Sequence, residues 1–353
     1  MPILLNNISE MATTTKKVIA VVGSTGNQGS SVVHTFLALP HWHVRALTRD
    51  TSSPKAQELA KRGAEMVQAD LSDVDSLTAA FNGANAIFVN TDFWAVYSSS
   101  LAEGAEHSVS GQRAYENEVT HGKNAVLATL KIPTLERFIY SALGPMNRAS
   151  GGKYPHSLHW ETKAAIVDYI ENEQPELFKK SSFIYPGAYN SNPLLIPKAN
   201  PQTGEFALVL PSPPSSRMPV IDPVKSTGKF VRSLVEEEEV GTKLLAYDSY
   251  PSIGEAAEAW SHITGKSAPM VEVSMEEMHR MTGIPYEVLD GAGFIGEFDF
   301  MAGVSGYIEP LQLKTPIRVQ RYEEGLKERD MKDLVQGAED WMLMRSVNKS
   351  NVS

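Results

Sequence analysis

A short β-branched run, Val18-Ile19-Ala20-Val21-Val22, ends directly on Gly23-Ser24-Thr25-Gly26-Asn27-Gln28-Gly29. Apolar residues at helical spacing, Val33, Phe36 and Leu37, follow within residues 30–39, and Pro40 stops them. Few folds accept that junction. The first glycine permits a tight turn, the second lets backbone approach a pyrophosphate, and the third lets helix and strand pack closely. The helix start adds free N–H groups and the positive end of its dipole. Glycines alone are weak evidence. Their place between a strand and a helix makes a dinucleotide fingerprint the better reading than a simple tight turn.

The alternation continues downstream. Residues 43–48, 64–68, 86–90, 137–141 and 183–185 read as strands. Residues 54–62, 73–81, 119–131 and 160–172 read as helices, the first two closed by Gly63 and Gly83. Nearly all-apolar strands suit a sheet covered on both faces. The expected fold class is therefore α/β, a doubly wound parallel sheet of Rossmann type with a smaller C-terminal α/β substrate lobe. The rhythm changes after Pro186, and residues 193–223 are rich in Pro, Ser, Asn and Gly, a turn-rich segment. Helices are expected again near 223–235 and 254–264. The run Glu236-Glu237-Glu238-Glu239 is expected to be a solvated helix end. The division expected is a disordered lead at 1–16, a dinucleotide-binding domain at 17–185, a substrate lobe at 186–345 with interleaving into the sheet allowed, and a frayed tail at 346–353. Met11 is an alternative start.

Composition removes other classes. The chain of 353 residues has no Cys, so it holds neither disulfides nor thiolate metal sites. It has no run of about 18 apolar residues to cross a membrane. Asp plus Glu outnumber Lys plus Arg by 42 to 32, and a net charge of −10 opposes direct nucleic-acid binding. Without a signal peptide, a cytoplasmic or nuclear location is expected. The pair His41 and His43 lacks a third ligand, so no metal is expected.

The second strand ends on Leu47-Thr48-Arg49-Asp50, where a Rossmann sheet meets the adenosine ribose. A guanidinium there suits the 2′-phosphate of NADP; the bland alternative is a surface arginine. Asp70, past the third strand, is placed for the adenine edge or for a helix cap. These pieces, together with Gly63-Ala64-Glu65-Met66-Val67-Gln68-Ala69-Asp70-Leu71 and Asn82-Gly83-Ala84-Asn85-Ala86-Ile87-Phe88-Val89-Asn90-Thr91, resemble the NmrA-like family of atypical short-chain dehydrogenases. The resemblance runs from Val18 to Asn192 and more loosely beyond. It implies that Gly23, Ser24, Thr25, Gly26, Asn27 and Gln28 cradle a pyrophosphate, with Gly29 behind them. It places Arg49 on the 2′-phosphate, Asp70 and Leu71 beside adenine, and Thr91, Asp92 and Phe93 along the cofactor. It places Lys163 near the nicotinamide ribose, and Tyr189, Asn190, Ser191 and Asn192 over the nicotinamide.

Ordinary members of that superfamily carry Tyr-x-x-x-Lys on one helix face. Here the segment is His159-Trp160-Glu161-Thr162-Lys163. Three readings stay open. Lys163 acts as acid and base, or His159 takes the proton role because imidazole titrates near neutrality, or the crevice only senses NADP(H). Phe93, Trp94, Tyr97, His156, Trp160, Tyr185 and Tyr189 either line an aromatic cleft or pack a core. Residues 95–113 are read as a lid, a substrate loop or a disordered insertion. Ser141 ends a strand where the superfamily keeps its catalytic serine, but no Gly-x-Ser-x-Gly supports a hydrolase. The expected function is an NADP(H)-dependent oxidoreductase acting on a small aromatic or conjugated molecule. The alternative is a non-catalytic NADP(H) sensor with a regulatory protein partner.

Overall fold

The computed structural model describes residues 15–336 except Pro201. The expected lead, Met11 and the expected tail lie outside the described residues or at their edge. The first half of the chain runs β1 (Lys17–Val21), α1 (Asn27–Leu37), β2 (Trp42–Thr48), α2 (Pro54–Lys61), β3 (Glu65–Gln68), α3 (Val74–Phe81), β4 (Ala86–Val89), α4 (Trp94–Ala102), α5 (His107–Thr129), β5 (Arg137–Ser141), α6 (Met146–Ala149), α7 (Leu158–Glu173), α8 (Pro175–Phe178) and β6 (Ser181–Pro186). The second half runs β7 (Ala188–Tyr189), β8 (Lys198–Ala199), β9 (Phe206–Leu210), β10 (Val220–Ile221), α9 (Pro223–Glu236), β11 (Lys243–Ala246), α10 (Ile253–Thr264), β12 (Met270–Glu272), α11 (Met275–Thr282), α12 (Tyr286–Phe298), β13 (Tyr307–Ile308), α13 (Tyr322–Lys327) and α14 (Met331–Gln336).

One eight-stranded sheet has the order β13-β11-β6-β5-β4-β1-β2-β3, with every pairing parallel. Side-chain alternation divides its two faces. Ile19, Val21, Ala86, Phe88 and Ile139 pack with α1 and α9 through Val32, Val33, Phe36, Phe230, Val231 and Leu234. Their neighbours Ala20, Ile87, Val89, Phe138 and Tyr140 pack with α3, α5 and α7 through Leu77, Phe81, Ala125, Val126, Ile166 and Ile170. Burial on both faces explains why these strands read as continuous apolar runs. The same core continues into the C-terminal elements, where Trp160 of α7 meets Phe294 of α12 and Phe300 edge-on.

Helices α1 and α9 approach closely at Gly228. A Cβ there would lie 2.2 Å from the Thr35 hydroxyl and 2.3 Å from the Ser31 carbonyl, and the Gly228 N–H already bonds the Ser31 hydroxyl. Gly228→Ala should therefore lose about 1–3 kcal/mol to overpacking, read as a lowered urea midpoint with an unchanged slope.

Several expectations change. The helix expected at 119–131 begins twelve residues earlier, at His107. Its first half buries small residues, Ser110, Gly111 and Ala114, which carry little apolar signal. Residues 95–113 are thus α4, a short turn and the start of α5, neither a loop nor a disordered insertion. The turn-rich stretch hides β9, and β9 pairs with β8 and β12. The acidic run is no solvated end. Glu236 accepts from Trp42, His41 and Arg232, and Glu238 is buried and accepts from the Lys314 N–H; only Glu239 stays largely exposed. Among the described residues no helix is long and apolar enough to cross a membrane.

Candidate functional site

The sheet order reverses between β1 and β4, and ligands of open α/β sheets bind in the crevice at that point. Gly23 leaves β1 at φ +67°, and the Gly26 N–H closes the turn on the Gly23 carbonyl at 2.9 Å. Helix α1 then starts with no side-chain cap and no acid in its first turn. At Gly29 a Cβ would lie 2.2 Å from the Gly23 carbonyl oxygen, so the helix sits hard against the turn. An uncapped helix start behind a bare glycine turn fits a pyrophosphate. Thr25 is half-buried, and Gly26 and Asn27 are exposed.

Two side chains of this loop do more than the fingerprint implies. The Ser24 hydroxyl donates to the Leu47 carbonyl at 2.7 Å and ties the loop to β2. Gln28 is buried, accepts from Ser141 Oγ at 2.8 Å and donates through Nε2 to the Tyr189 hydroxyl oxygen at 2.8 Å. One amide thereby joins the loop, the end of β5 and β7. Burial pushes the Tyr189 phenol above its ordinary range. Asn190, Ser191 and Asn192 follow as a tight turn. The Asn190 N–H bonds the Ile221 carbonyl, Arg329 donates to the Asn190 carbonyl, and Asn192 caps the short helical turn at Pro193–Leu195.

At the end of β2, Arg49 is exposed and forms no salt bridge among the described residues. The other β2 arginine, Arg45, is engaged by Glu65 and by the Ala80 and Asn82 carbonyls. Asp70 turns back to accept from the Ser72 N–H and hydroxyl, and these bonds hold its carboxyl below the usual range. The cap of α3 is Asp73, not Asp70. Leu71 is half-buried and its carbonyl takes a bond from Asn124. An open groove of about 370 Å³ lies alongside, lined by Ser72 and by Arg113, Glu116, Asn117, Thr120 and His121 of α5.

Past β4, Thr91 is the centre of a buried network. Its hydroxyl donates to Glu118 Oε1 at 2.6 Å and accepts from Tyr140 at 3.1 Å and from Lys163 Nζ at 3.1 Å. Lys163 Nζ also donates to the Thr91 carbonyl at 3.1 Å and to Glu118 Oε1 at 2.9 Å. The Thr162 hydroxyl takes the other Glu118 oxygen. Glu118 is fully buried and the Lys163 side chain 13% exposed. An ammonium group has three protons, and all three of Lys163 point into the protein. Asp92 is exposed and accepts from the Trp94 and Ala95 N–H groups, which starts α4; Phe93 behind it is buried.

His159 stands one helical turn before Lys163. Its ring lies 4.8 Å from the Trp94 ring and 6.0 Å from Phe93, and Phe93 stacks on Tyr97 at 5.5 Å. Its Nδ1 is 2.6 Å from Glu287 Oε1 of α12. The seven aromatic candidates therefore separate. Phe93, Trp94 and Tyr97 gather at His159, and His156 lies nearby against Tyr286. Trp160 belongs to the core under α12, and Tyr185 is buried in the same core. His41 and His43 diverge to Glu236 and Glu65, and the described residues hold no cluster that could bind a metal.

Sequence reasoning missed Glu118, Tyr140 and Glu287. Glu118 had a signal: it falls on the stripe Ala114, Gly122, Ala125, where an acid marks a buried partner. Glu287 had none, being 128 residues from His159.

Fold and crevice together define a Rossmann-type protein with a glycine turn and an uncapped helix start at its strand-order reversal. The chain belongs to the NmrA-like family, whose model matches residues 15–320. It is 35% identical over 140 residues to the NmrA-like family domain-containing oxidoreductase hkm9 of Aspergillus hancockii, an alignment covering 35% of this chain and 42% of that protein. The chain thus spans less than half the length of that curated relative. Its fold is similar to the crystal structure of NmrA, a negative transcriptional regulator, with TM-score 0.61, 21% identity, and 95% and 98% of the two chains covered. It is also similar to the Citrobacter sp. triphenylmethane reductase complexed with NADP(H), with TM-score 0.62, 18% identity, and 89% and 99% covered.

Proposed function

We propose that this protein binds NADP(H) in the crevice and works as an oxidoreductase on a small aromatic or conjugated organic molecule. The observation that carries the reading is His159: a titratable ring, held one turn before Lys163, against the Trp94 and Phe93 rings at the cofactor end of the sheet. The glycine turn and the start of α1 would hold the pyrophosphate, Arg49 the 2′-phosphate, and Asp70 and Leu71 the adenine. When bound, the nicotinamide supplies or accepts the hydride. Reduction of a conjugated carbonyl also needs a proton at oxygen. Lys163 has its donors committed to Thr91 and Glu118, so proton transfer falls to His159. Names of relatives support the reading, since hkm9 is called an oxidoreductase and the triphenylmethane reductase was crystallised with NADP(H).

The test is calorimetric titration with NADP⁺, NADPH, NAD⁺ and NADH, followed by a panel of aromatic and conjugated substrates monitored by NADPH oxidation. Selective NADP(H) binding with turnover is the expected result; binding without turnover of any substrate removes the enzyme. Arg49→Ala should weaken NADP(H) by about 2 kcal/mol, roughly 30-fold, and leave NAD(H) almost unchanged. Equal losses for both pairs would take Arg49 off the 2′-phosphate. The committed Lys163 donors and the fold likeness to a transcriptional regulator favour a second reading, a redox sensor with a protein partner. That reading requires partner capture that differs between the NADP⁺ and NADPH states.

A further inference from the structure

We infer that Glu287 is a positioning residue for His159: it accepts a hydrogen bond from the Nδ1–H of the imidazole and leaves Nε2 as the atom that carries a proton to or from a substrate. This deepens the oxidoreductase reading and rests on it for the chemistry, but the placement stands on geometry alone. Glu287 makes four bonds to the start of α7. Its carbonyl accepts from the Ser157 hydroxyl at 2.8 Å, Oε2 accepts from the Leu158 N–H at 3.1 Å, and Oε1 accepts from the His159 N–H at 2.9 Å and faces His159 Nδ1 at 2.6 Å. A carboxylate only accepts, so the proton of that last bond sits on Nδ1. Ring and backbone of His159 share one oxygen, which pins the imidazole relative to the helix axis. The Trp94 ring stands 4.8 Å from the imidazole, tilted by 47°, so the ring meets an indole as well as the carboxylate at Nδ1. Both favour a positive charge that would develop on the imidazole when Nε2 takes a proton.

Glu287 caps the helix and holds the ring at once, since its carboxylate accepts from the Leu158 and His159 N–H groups as well as from Nδ1. Ser157 occupies the cap position itself but turns its hydroxyl to Glu287. The neighbouring Asp290, one turn along α12, does the comparable service for His156, accepting from its N–H at 2.7 Å and lying 3.1 Å from its Nδ1. The charged and titratable groups around His159 are Glu287 and Asp290 from α12, His156 before α7, Tyr97 of α4 with His107 of α5 bonded to it, and Lys163 with Glu118 one turn on. Of these, only Glu287 touches the imidazole through a hydrogen bond among the described residues.

The test is a long-range ¹H–¹⁵N spectrum of the histidine rings in the full-length protein, with and without NADPH, at mildly alkaline pH. The wild-type His159 ring should carry its proton on Nδ1. A proton on Nε2, or an even mixture, overturns the inference without any variant having to fold. In Glu287→Gln, kcat should fall roughly tenfold or more while the KM for NADPH stays within about twofold. An unchanged kcat with only a lower melting temperature would reduce Glu287 to a cap and also overturn it. Asp290→Asn serves as the control: it should lower the melting temperature and leave the His159 tautomer as in wild type. An Nδ1 proton in a wild-type protein that turns over no substrate removes the oxidoreductase reading and leaves the positioning in place.

Discussion

Gly29→Ala is expected to abolish dinucleotide binding and to destabilise the fold by about 3 kcal/mol. The added carbon would lie 2.2 Å from the Gly23 carbonyl oxygen, 2.6 Å from the Gly23 carbonyl carbon and 2.9 Å from the Ser24 Cα. All three are backbone atoms, so no rotamer change relieves the contact. Either α1 moves outward or the turn opens. Outward movement strips Val32, Val33 and Phe36 from the strands and from α9. Opening of the turn breaks the Gly26–Gly23 bond and the Ser24–Leu47 tie, which together shape the glycine turn. Denaturant titration and calorimetry with NADPH check the two effects. Near-wild-type binding at unchanged stability would show that helix and turn do not need their close approach.

Glu118→Gln is expected to destabilise by about 3–5 kcal/mol, the usual cost of leaving a buried charge unpaired. Glu118 is fully buried and accepts three bonds, from Thr91, Lys163 and Thr162. Its amide would offer donors toward groups that already donate, leaving a cationic side chain 13% exposed without its counter-charge. Lys163→Met should harm stability for the mirrored reason. The double variant Glu118→Gln with Lys163→Met should then lose clearly less than the sum, a coupling of about 1–3 kcal/mol. Additive losses would mean that the two groups do not act as a pair. Kinetics add a second arm. If Lys163 were the proton donor, Lys163→Met would remove turnover even where the double variant is folded; if His159 is the donor, the folded double variant retains it.

The sequence alone determined the fold class, because its information is local. Side chains alternate along β1, β4 and β5, both faces are covered, and the strands are therefore apolar throughout. The glycine turn is local as well, since Gly23, Gly26 and Gly29 each answer a demand from atoms within a few residues. The exposed position of Arg49 just beyond β2 was legible for the same reason, being a property of the segment. The start of α5 was not legible, because its buried face is made of small residues whose burial only α4 and α7 reveal; a Cβ on Gly111 would sit 3.2 Å from Leu158. Nor was the acidic run, whose Glu236 and Glu238 find partners from Trp42 and the Lys314 backbone. What only the tertiary structure decided is how the His159 and Lys163 side chains are partnered. Glu118 reaches Lys163 across 45 residues and Glu287 reaches His159 across 128. Helix spacing puts His159 and Lys163 on one face, but which of them is free to move a proton depends on the acids that other elements bring to them.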